Sequence, residues 1–175
     1  MQLAHTRSLF FLVFIACAMI IGSVFYLQCV VGLSPCILCL WQRAALAASG
    51  LVALIATLHA PDRKGFRAYS FVILLLTLAG AAIAGGQVWL QTASADETIA
   101  VIAWTEWLLD TVSLHHLVDG LRGDASICAE ISWSLFGISL PEWSLLAFVG
   151  LALLMLNALF RASAQVVTAE SRVED

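Results

Sequence analysis

Leu9-Phe10-Phe11-Leu12-Val13-Phe14-Ile15-Ala16-Cys17-Ala18-Met19-Ile20-Ile21-Gly22-Ser23-Val24-Phe25-Tyr26-Leu27 carries no charge and has no polar face. A helix needs about 20 mostly apolar residues to cross a hydrocarbon core of ~30 Å. A soluble helix needs a polar stripe for its water side, and this stretch offers none. It therefore reads as a membrane span, and Leu145–Phe160 reads the same way.

The rest of the chain follows that pattern. Of 175 residues, 62% are apolar and 11% are charged, against roughly 25% charged in a soluble domain. The charges cluster, leaving gaps from Arg7 to Arg43, Arg43 to Asp62, Arg67 to Asp96 and Glu142 to Arg161. The first gap holds one span, a short loop and the start of a second, and each of the others holds one span. The expectation is an all-α membrane protein, a four-helix bundle with spans at about 8–28, 37–58, 69–91 and 143–161. A cleaved signal peptide would have an apolar stretch of only about 7–15 residues and no spans behind it, so the first helix is expected to stay attached. The expected organisation is one membrane domain over 1–161 and a polar, frayed tail over 162–175.

Orientation follows the basic residues. Arg63, Lys64 and Arg67 lie in the 59–68 loop, Arg7 precedes the first span, and Arg161 and Arg172 follow the last, whereas 92–142 holds Arg122 alone. The positive-inside rule puts both termini and the 59–68 loop in the cytoplasm. The 29–36 and 92–142 loops then lie outside, in the periplasm of a bacterial-type cell, where disulfides persist. A net charge of −4, with no basic cluster or glycine-rich phosphate loop, argues against nucleic acid as a partner.

The outer segment collects acidic residues. From Trp104 to Leu121 its apolar residues recur near the helical period. With Trp104 and Trp107 this suggests a short interfacial helix in the second outer loop, lying on the membrane or packed against the spans. Gly120-Leu121-Arg122-Gly123-Asp124 reads as a turn. Pro141 suits the first turn of the last span, with Glu142 well placed at the positive end of the helix dipole.

Chemistry concentrates at Ser34-Pro35-Cys36-Ile37-Leu38-Cys39-Leu40-Trp41-Gln42-Arg43. Cys36 and Cys39 begin a span at i and i+3, where helix N-terminal amides stabilise the thiolate that carries out disulfide exchange. Pro35 fits the boundary. Arg43, four residues beyond Cys39, shares that face. An arginine inside a span is costly. It either snorkels to the surface or serves as a cation for a thiolate or a reduced acceptor, and its combination with the cysteine pair favours the second. Cys17, deep in the first span, reads as an apolar filler. Cys128, His115 and His116 do not match zinc-ligand spacing, so no metal is expected. His5 and His59 read as ordinary polar groups on the cytoplasmic side. A structural or transport bundle ranks last, because the spans offer little polar lining beyond Gln42, Arg43, Gln87 and Gln91.

The order of these residues resembles the DsbB family, quinone-dependent generators of disulfides in the bacterial inner membrane, from the first span to the last. The specific matches are Pro35-Cys36-Ile37-Leu38-Cys39 with Gln42-Arg43, then Val88-Trp89-Leu90-Gln91, Cys128-Ala129-Glu130, and Trp133-Ser134-Leu135-Phe136-Gly137-Ile138-Ser139-Leu140-Pro141-Glu142-Trp143. The resemblance implies a catalytic set of Cys36, Cys39 and Cys128, with Cys36 exchanging with Cys128. Cys39, Arg43, Gln87 and Gln91 would face ubiquinone or menaquinone. A periplasmic thioredoxin-fold oxidase of the DsbA type would be the electron donor. The pathway from DsbA through DsbB to quinone is general knowledge of disulfide biochemistry.

The chain departs from that pattern. Relatives carry a second cysteine in the large outer loop, at a position that falls on Val101, and often a histidine where Gln87 stands. No cysteine lies between residues 40 and 127. Three readings follow. Cys128 is a lone thiol, or it pairs with Cys29 or Cys36, or the chain is altered to hold one state. Spacing does not choose among them, since a disulfide requires Cα atoms within about 7 Å.

Overall fold

The computed structural model describes residues 2–32, 37–91, 99–100, 103–104, 107, 111 and 134–171. Four long helices dominate: α1 (Gln2–Val31), α2 (Ile37–His59), α3 (Arg63–Leu90) and α4 (Leu140–Ser171), the last preceded by two short strands, β1 (Ser134–Leu135) and β2 (Ile138–Ser139). Within them, Arg7–Val30, Leu38–His59, Arg63–Leu90 and Leu140–Ala162 are long and apolar enough to cross a membrane. The all-α four-span architecture read from the sequence is the observed one. Helix α4 runs on to Ser171, through part of the segment expected to fray.

Each helix packs on the next in sequence, α1 on α2, α2 on α3 and α3 on α4. All four supply the core: Phe10, Val13 and Cys17 from α1, Leu46, Ala53 and Ala56 from α2, Ile73 and Ala84 from α3, Phe148, Leu151 and Met155 from α4. The buried residues of α3 are Ser70, Ile73, Thr77, Gly80, Ala84, Gln87 and Leu90. Their alternating three- and four-residue spacing is that of a helix face packed at a shallow left-handed crossing. Much of this seam is small or polar, whereas Phe11, Met19, Leu51, Leu58, Phe71, Leu75, Leu146 and Phe160 point outward. In lipid, apolar surface gains little from burial, so small residues that let backbones approach take the inside.

Three hydroxyls inside the bundle return to their own helix: Ser49 to the Ala45 carbonyl at 2.8 Å, Thr57 to Ala53 at 2.8 Å and Thr77 to Ile73 at 2.9 Å. This satisfies groups that hydrocarbon cannot.

Short connections hold the bundle in register. Between α2 and α3 the chain turns through Ala60, at φ 46°, then Pro61 and Asp62. Asp62 caps α3 by accepting from the Gly65 amide at 2.9 Å. Before α4, the strands pair antiparallel around Phe136 and Gly137, both at positive φ (56° and 79°). That is the two-residue turn whose twist matches a hairpin, and Gly137 meets it without strain. Of the outer segment, Ile99, Ala100, Ala103, Trp104, Trp107 and Thr111 are helical and exposed. Helical backbone thus begins before Trp104. The remainder of the Trp104–Leu121 helix, the Gly120–Asp124 turn, Val101, His115 and His116 lie outside the described residues.

Candidate functional site

The first two turns of α2 place Cys39, Gln42 and Arg43 along one side of the helix, and each side chain meets a different neighbour. Cys39 is half-buried and faces α3, where Gln87 Nε2 donates to its Sγ at 3.3 Å. The same sulfur lies 3.7 Å from Gln87 Oε1. Gln42 Nε2 donates to Gln87 Oε1 at 2.7 Å. From α4, Ser144 Oγ lies 2.8 Å from Gln42 Oε1 and 2.8 Å from the Pro141 carbonyl. Gln42 and Gln87 are both buried. A primary amide in a span has no water to bond, so it must find protein partners or cost several kcal/mol, about 4–8 by transfer to an alkane. Here two amides, a hydroxyl and a sulfur satisfy one another across α2, α3 and α4.

Arg43 turns towards α1. Its Nη1 donates to Gln28 Oε1 at 2.5 Å, and its guanidinium carbon sits 5.6 Å from the Phe25 ring centroid. A carbonyl acceptor and an aromatic face together hold a half-buried cation at the rim of a span.

Gln91 ends α3. Its Oε1 lies 3.3 Å from Ser139 Oγ, and Ser139 immediately precedes α4. The Ser139 amide donates to Glu142 Oε2 at 2.6 Å, and the Ser139 hydroxyl lies 2.8 Å from the same oxygen. This is the reaching-back half of a capping box, Ser-x-x-Glu, and it fixes the direction of α4 as it enters the bundle. Gln91 therefore ties the end of α3 to the hairpin, while Gln87, one turn deeper, meets the sulfur.

Four helices with a thiol, two amides and a guanidinium at one end of the bundle match a known group of proteins. The family described as "Disulfide bond formation protein DsbB" matches residues 6–158. The chain belongs to the DsbB family. Among curated relatives, Disulfide bond formation protein B 2 of Pseudomonas savastanoi pv. phaseolicola is 61% identical over 160 residues, covering 91% of each chain. Disulfide bond formation protein B of Stutzerimonas stutzeri is 38% identical over 92% of this chain and 99% of its own. Disulfide bond formation protein B 1 of Pseudomonas aeruginosa is 41% identical over 85% of this chain and 91% of its own. With four spanning helices, this DsbB-family chain is a multi-pass membrane protein.

Of the residues singled out from sequence, Cys39 and Gln87 are in contact, Arg43 stands one turn along α2, and Gln91 caps α3. Cys36 and Cys128 lie outside the described residues. Cys17 is a buried free thiol, in keeping with an apolar filler, and Cys29 is an exposed free thiol at the end of α1. The sequence reading gave no role to Gln28, Ser139 or Ser144, and Gln42 entered it only as part of a motif and as one of the few polar residues of the spans. One signal could have found three of them. An uncharged polar side chain in or beside a long apolar run needs a partner, and Gln28, Gln42 and Ser144 each stand among apolar neighbours.

Proposed function

We propose that this membrane thiol oxidase takes electrons from a periplasmic DsbA-type thiol protein and passes them, through Cys36 and Cys39, to membrane quinone. The observation that carries the reading is the position of Cys39. It lies in the first turn of a membrane span, half-buried, against the amide of Gln87. A lipid-soluble acceptor requires its donor at membrane depth, and a protein donor requires reach into the aqueous phase. The start of α2 serves both.

The residues suit a quinone. A quinone ring is apolar with two carbonyl oxygens, so it wants an apolar surround and hydrogen-bond donors. The outer ends of the helices supply the surround, Arg43 and Gln87 carry N–H donors, and Gln91 extends the polar set. When bound, the quinone supplies an acceptor for two electrons and two protons. On the protein side, two thiols lose two protons and two electrons as one S–S bond forms between Cys36 and Cys39. The pair is reduced again by exchange. A thiolate of Cys128 attacks Cys36, which forms a Cys36–Cys128 bond and releases the Cys39 thiolate; a donor thiolate then attacks Cys128 and frees Cys36, and the donor's second thiol resolves that mixed disulfide and frees Cys128. Arg43 lowers the energy of negative charge near Cys39. Gln87 orients the sulfur. The location consistent with this circuit is the bacterial inner membrane, with both termini cytoplasmic and the cysteine pair and large loop periplasmic. One membrane domain then covers 1–161, followed by a cytoplasmic tail.

The test is quinone reduction by the purified protein with a small dithiol donor, followed by the loss of quinone absorbance. The parent turns over and Cys39→Ser does not. A Cys39→Ser variant that still reduced quinone would sink the proposal.

Val101 favours a narrower second reading. With no second cysteine in the loop, the usual loop disulfide cannot form, and the chain reduces quinone from small dithiols without oxidising a DsbA-type protein. Disulfide mapping by mass spectrometry under native conditions separates the two. A Cys36–Cys39 bond with free Cys128 supports the narrower reading, and a Cys36–Cys128 or Cys29–Cys128 bond supports the full relay.

A further inference from the structure

Arg43 has an easier place to be than the one it occupies. Along α2 it stands five residues in from Leu38, where the apolar span begins, which is about 7.5 Å of helix. Side chains on a helix lean towards its N-terminus, and for α2 that is the near surface. From there an arginine reaches water by snorkelling. The guanidinium turns aside instead, against α1. Gln28 Oε1 accepts from its Nη1 at 2.5 Å, and the Phe25 ring centroid lies 5.6 Å from its central carbon. Gln28 and Phe25 are three residues apart and share a face of α1. They stand two and five residues in from Val30, the end of that span, or about 3 Å and 7.5 Å. The two contacts bracket the cation in the rim of the membrane, in the layer that begins with Cys39, one residue in from Leu38. Both partners are neutral. An amide carbonyl and an aromatic face fix where a guanidinium sits and leave its unit charge in place. A carboxylate at the same point would hold it more firmly and cancel that charge.

We propose that Gln28 and Phe25 are positioning residues for Arg43, a neutral clamp on α1 that withholds the guanidinium from the surface and keeps its full charge for an anion formed beside Cys39. This role rests on the proposed function, in which negative charge develops on a thiolate or on a quinone oxygen near Arg43. Coulomb attraction falls with distance, and a cation that moves into water is screened as well, so a snorkelled Arg43 would stabilise that charge far less. Among the described residues, the charged side chains at this end of the bundle are Arg43 and Glu142, and Glu142 takes up the Ser139 amide and hydroxyl. Helix α1 thus contributes to the site without placing a reactive group in it.

Two measurements on the full-length protein in nanodiscs test the clamp. The first needs no quinone. It is the rate at which water-soluble p-hydroxyphenylglyoxal modifies Arg43, divided by that of exposed Arg161 in the same molecule and read by peptide mass spectrometry. Gln28→Leu is expected to raise the ratio about fivefold and Phe25→Leu about twofold, while Gln28→Glu leaves it at or below the parent value. The second is kcat/KM for a soluble quinone with a small dithiol as donor. Gln28→Leu lowers it about tenfold because the cation has moved, and Gln28→Glu lowers it because the charge is cancelled. Protection of Arg43 and turnover therefore part company in Gln28→Glu, whereas a loosened bundle would expose Arg43 and slow turnover together. An Arg43 ratio unmoved in folded Gln28→Leu overturns the clamp. A raised ratio with unchanged kcat/KM overturns the positioning role, and a Gln28→Glu protein as fast as the parent overturns the need for neutral partners. A parent that fails to reduce quinone overturns the proposed function, and the Arg43 ratios still decide whether α1 holds the cation.

Discussion

Replacing Gly80 by alanine drives a methyl group into the Phe148 ring. An ideal Cβ built at Gly80 lies 2.2 Å from Phe148 Cε1, 2.5 Å from Cζ and 2.7 Å from Cδ1. Carbon atoms rest at about 3.5–4.0 Å, so the nearest pair is short by about 1.3–1.8 Å. Three ring atoms crowd the same point, and turning the ring in its plane exchanges one for another. Phe148 is itself buried in the core. The ring must leave its rotamer or α3 must move away from α4, at a cost of about 1–3 kcal/mol. Close packing is what holds helices together in lipid, so this loss is not recovered elsewhere. The assay is reversible unfolding in mixed micelles with rising dodecyl sulfate, followed by circular dichroism. Phe148→Leu alone is expected to cost less than about 1.5 kcal/mol. Combined with Gly80→Ala it should be at least ~1 kcal/mol more stable than the sum of the two losses, because the leucine vacates the space the methyl requires. A Gly80→Ala protein as stable as the parent, or strictly additive losses, refutes the reasoning. The effect should also reach the site. Gly80 lies on the same α3 face as Gln87, and Phe148 lies one turn from Ser144 on α4. Spreading the two helices stretches the Ser144–Gln42 link.

Three further outcomes follow from other contacts. Gln28→Leu removes the acceptor that holds Arg43 and should cost about 1–2 kcal/mol by the same unfolding assay, with no cost in an Arg43→Leu background; equal losses in both backgrounds would mean Gln28 acts through something else. Ser139→Ala removes the hydroxyl that meets Glu142 and Gln91 and should cost ~1 kcal/mol, whereas Glu142→Gln, which keeps an acceptor for both the Ser139 amide and hydroxyl, should cost less; the reverse order in thermal melts would refute this reading of the contacts. Phe136 sits at φ 56° with an exposed side chain, so Phe136→Asn should raise the melting temperature by removing about 1 kcal/mol of backbone strain, and a fall would show that the ring makes a contact worth more than the strain.

Membership of the bundle was legible because hydrocarbon is a demanding solvent. Long uncharged runs have few alternatives to spanning helices, so four helices could be placed from the gaps between charges. Which face of each helix turns inward was not legible by the same rule. The spans are apolar nearly all round, and hydrophobic periodicity carries no signal when both core and solvent are oily. The seam of α3 is marked instead by Ser70, Thr77, Gly80, Ala84 and Gln87, small or polar residues at three- and four-residue spacing. A reading tuned to small-residue periodicity would have found it. The start of α4 was half-legible. Pro141 and Glu142 announced a helix N-terminus, but Ser139 as the residue that Glu142 reaches back to required the full Ser-x-x-Glu pattern.

The site was legible within a helix and obscure between helices, for a reason of geometry. Cys39 and Arg43 are related by a spacing that any α-helix fixes, so sequence alone puts them on one side of α2. Sequence leaves open which neighbour each one meets. Cys39 meets α3 and Arg43 meets α1 because the contacts that set the helices in register, such as Gly80 against Phe148, lie turns away from the chemistry. Gln42 shows the consequence. Taken alone it is a polar residue with a cost and no evident role, at the buried end of a motif. Set opposite Gln87 and Ser144, it becomes the link that joins α2 to both α3 and α4. A single buried amide in a span is therefore evidence of a partner on another helix. Among the described residues the Gln87 amide also reaches the Cys39 sulfur, so the polar seam of α3 runs up to a thiol on α2.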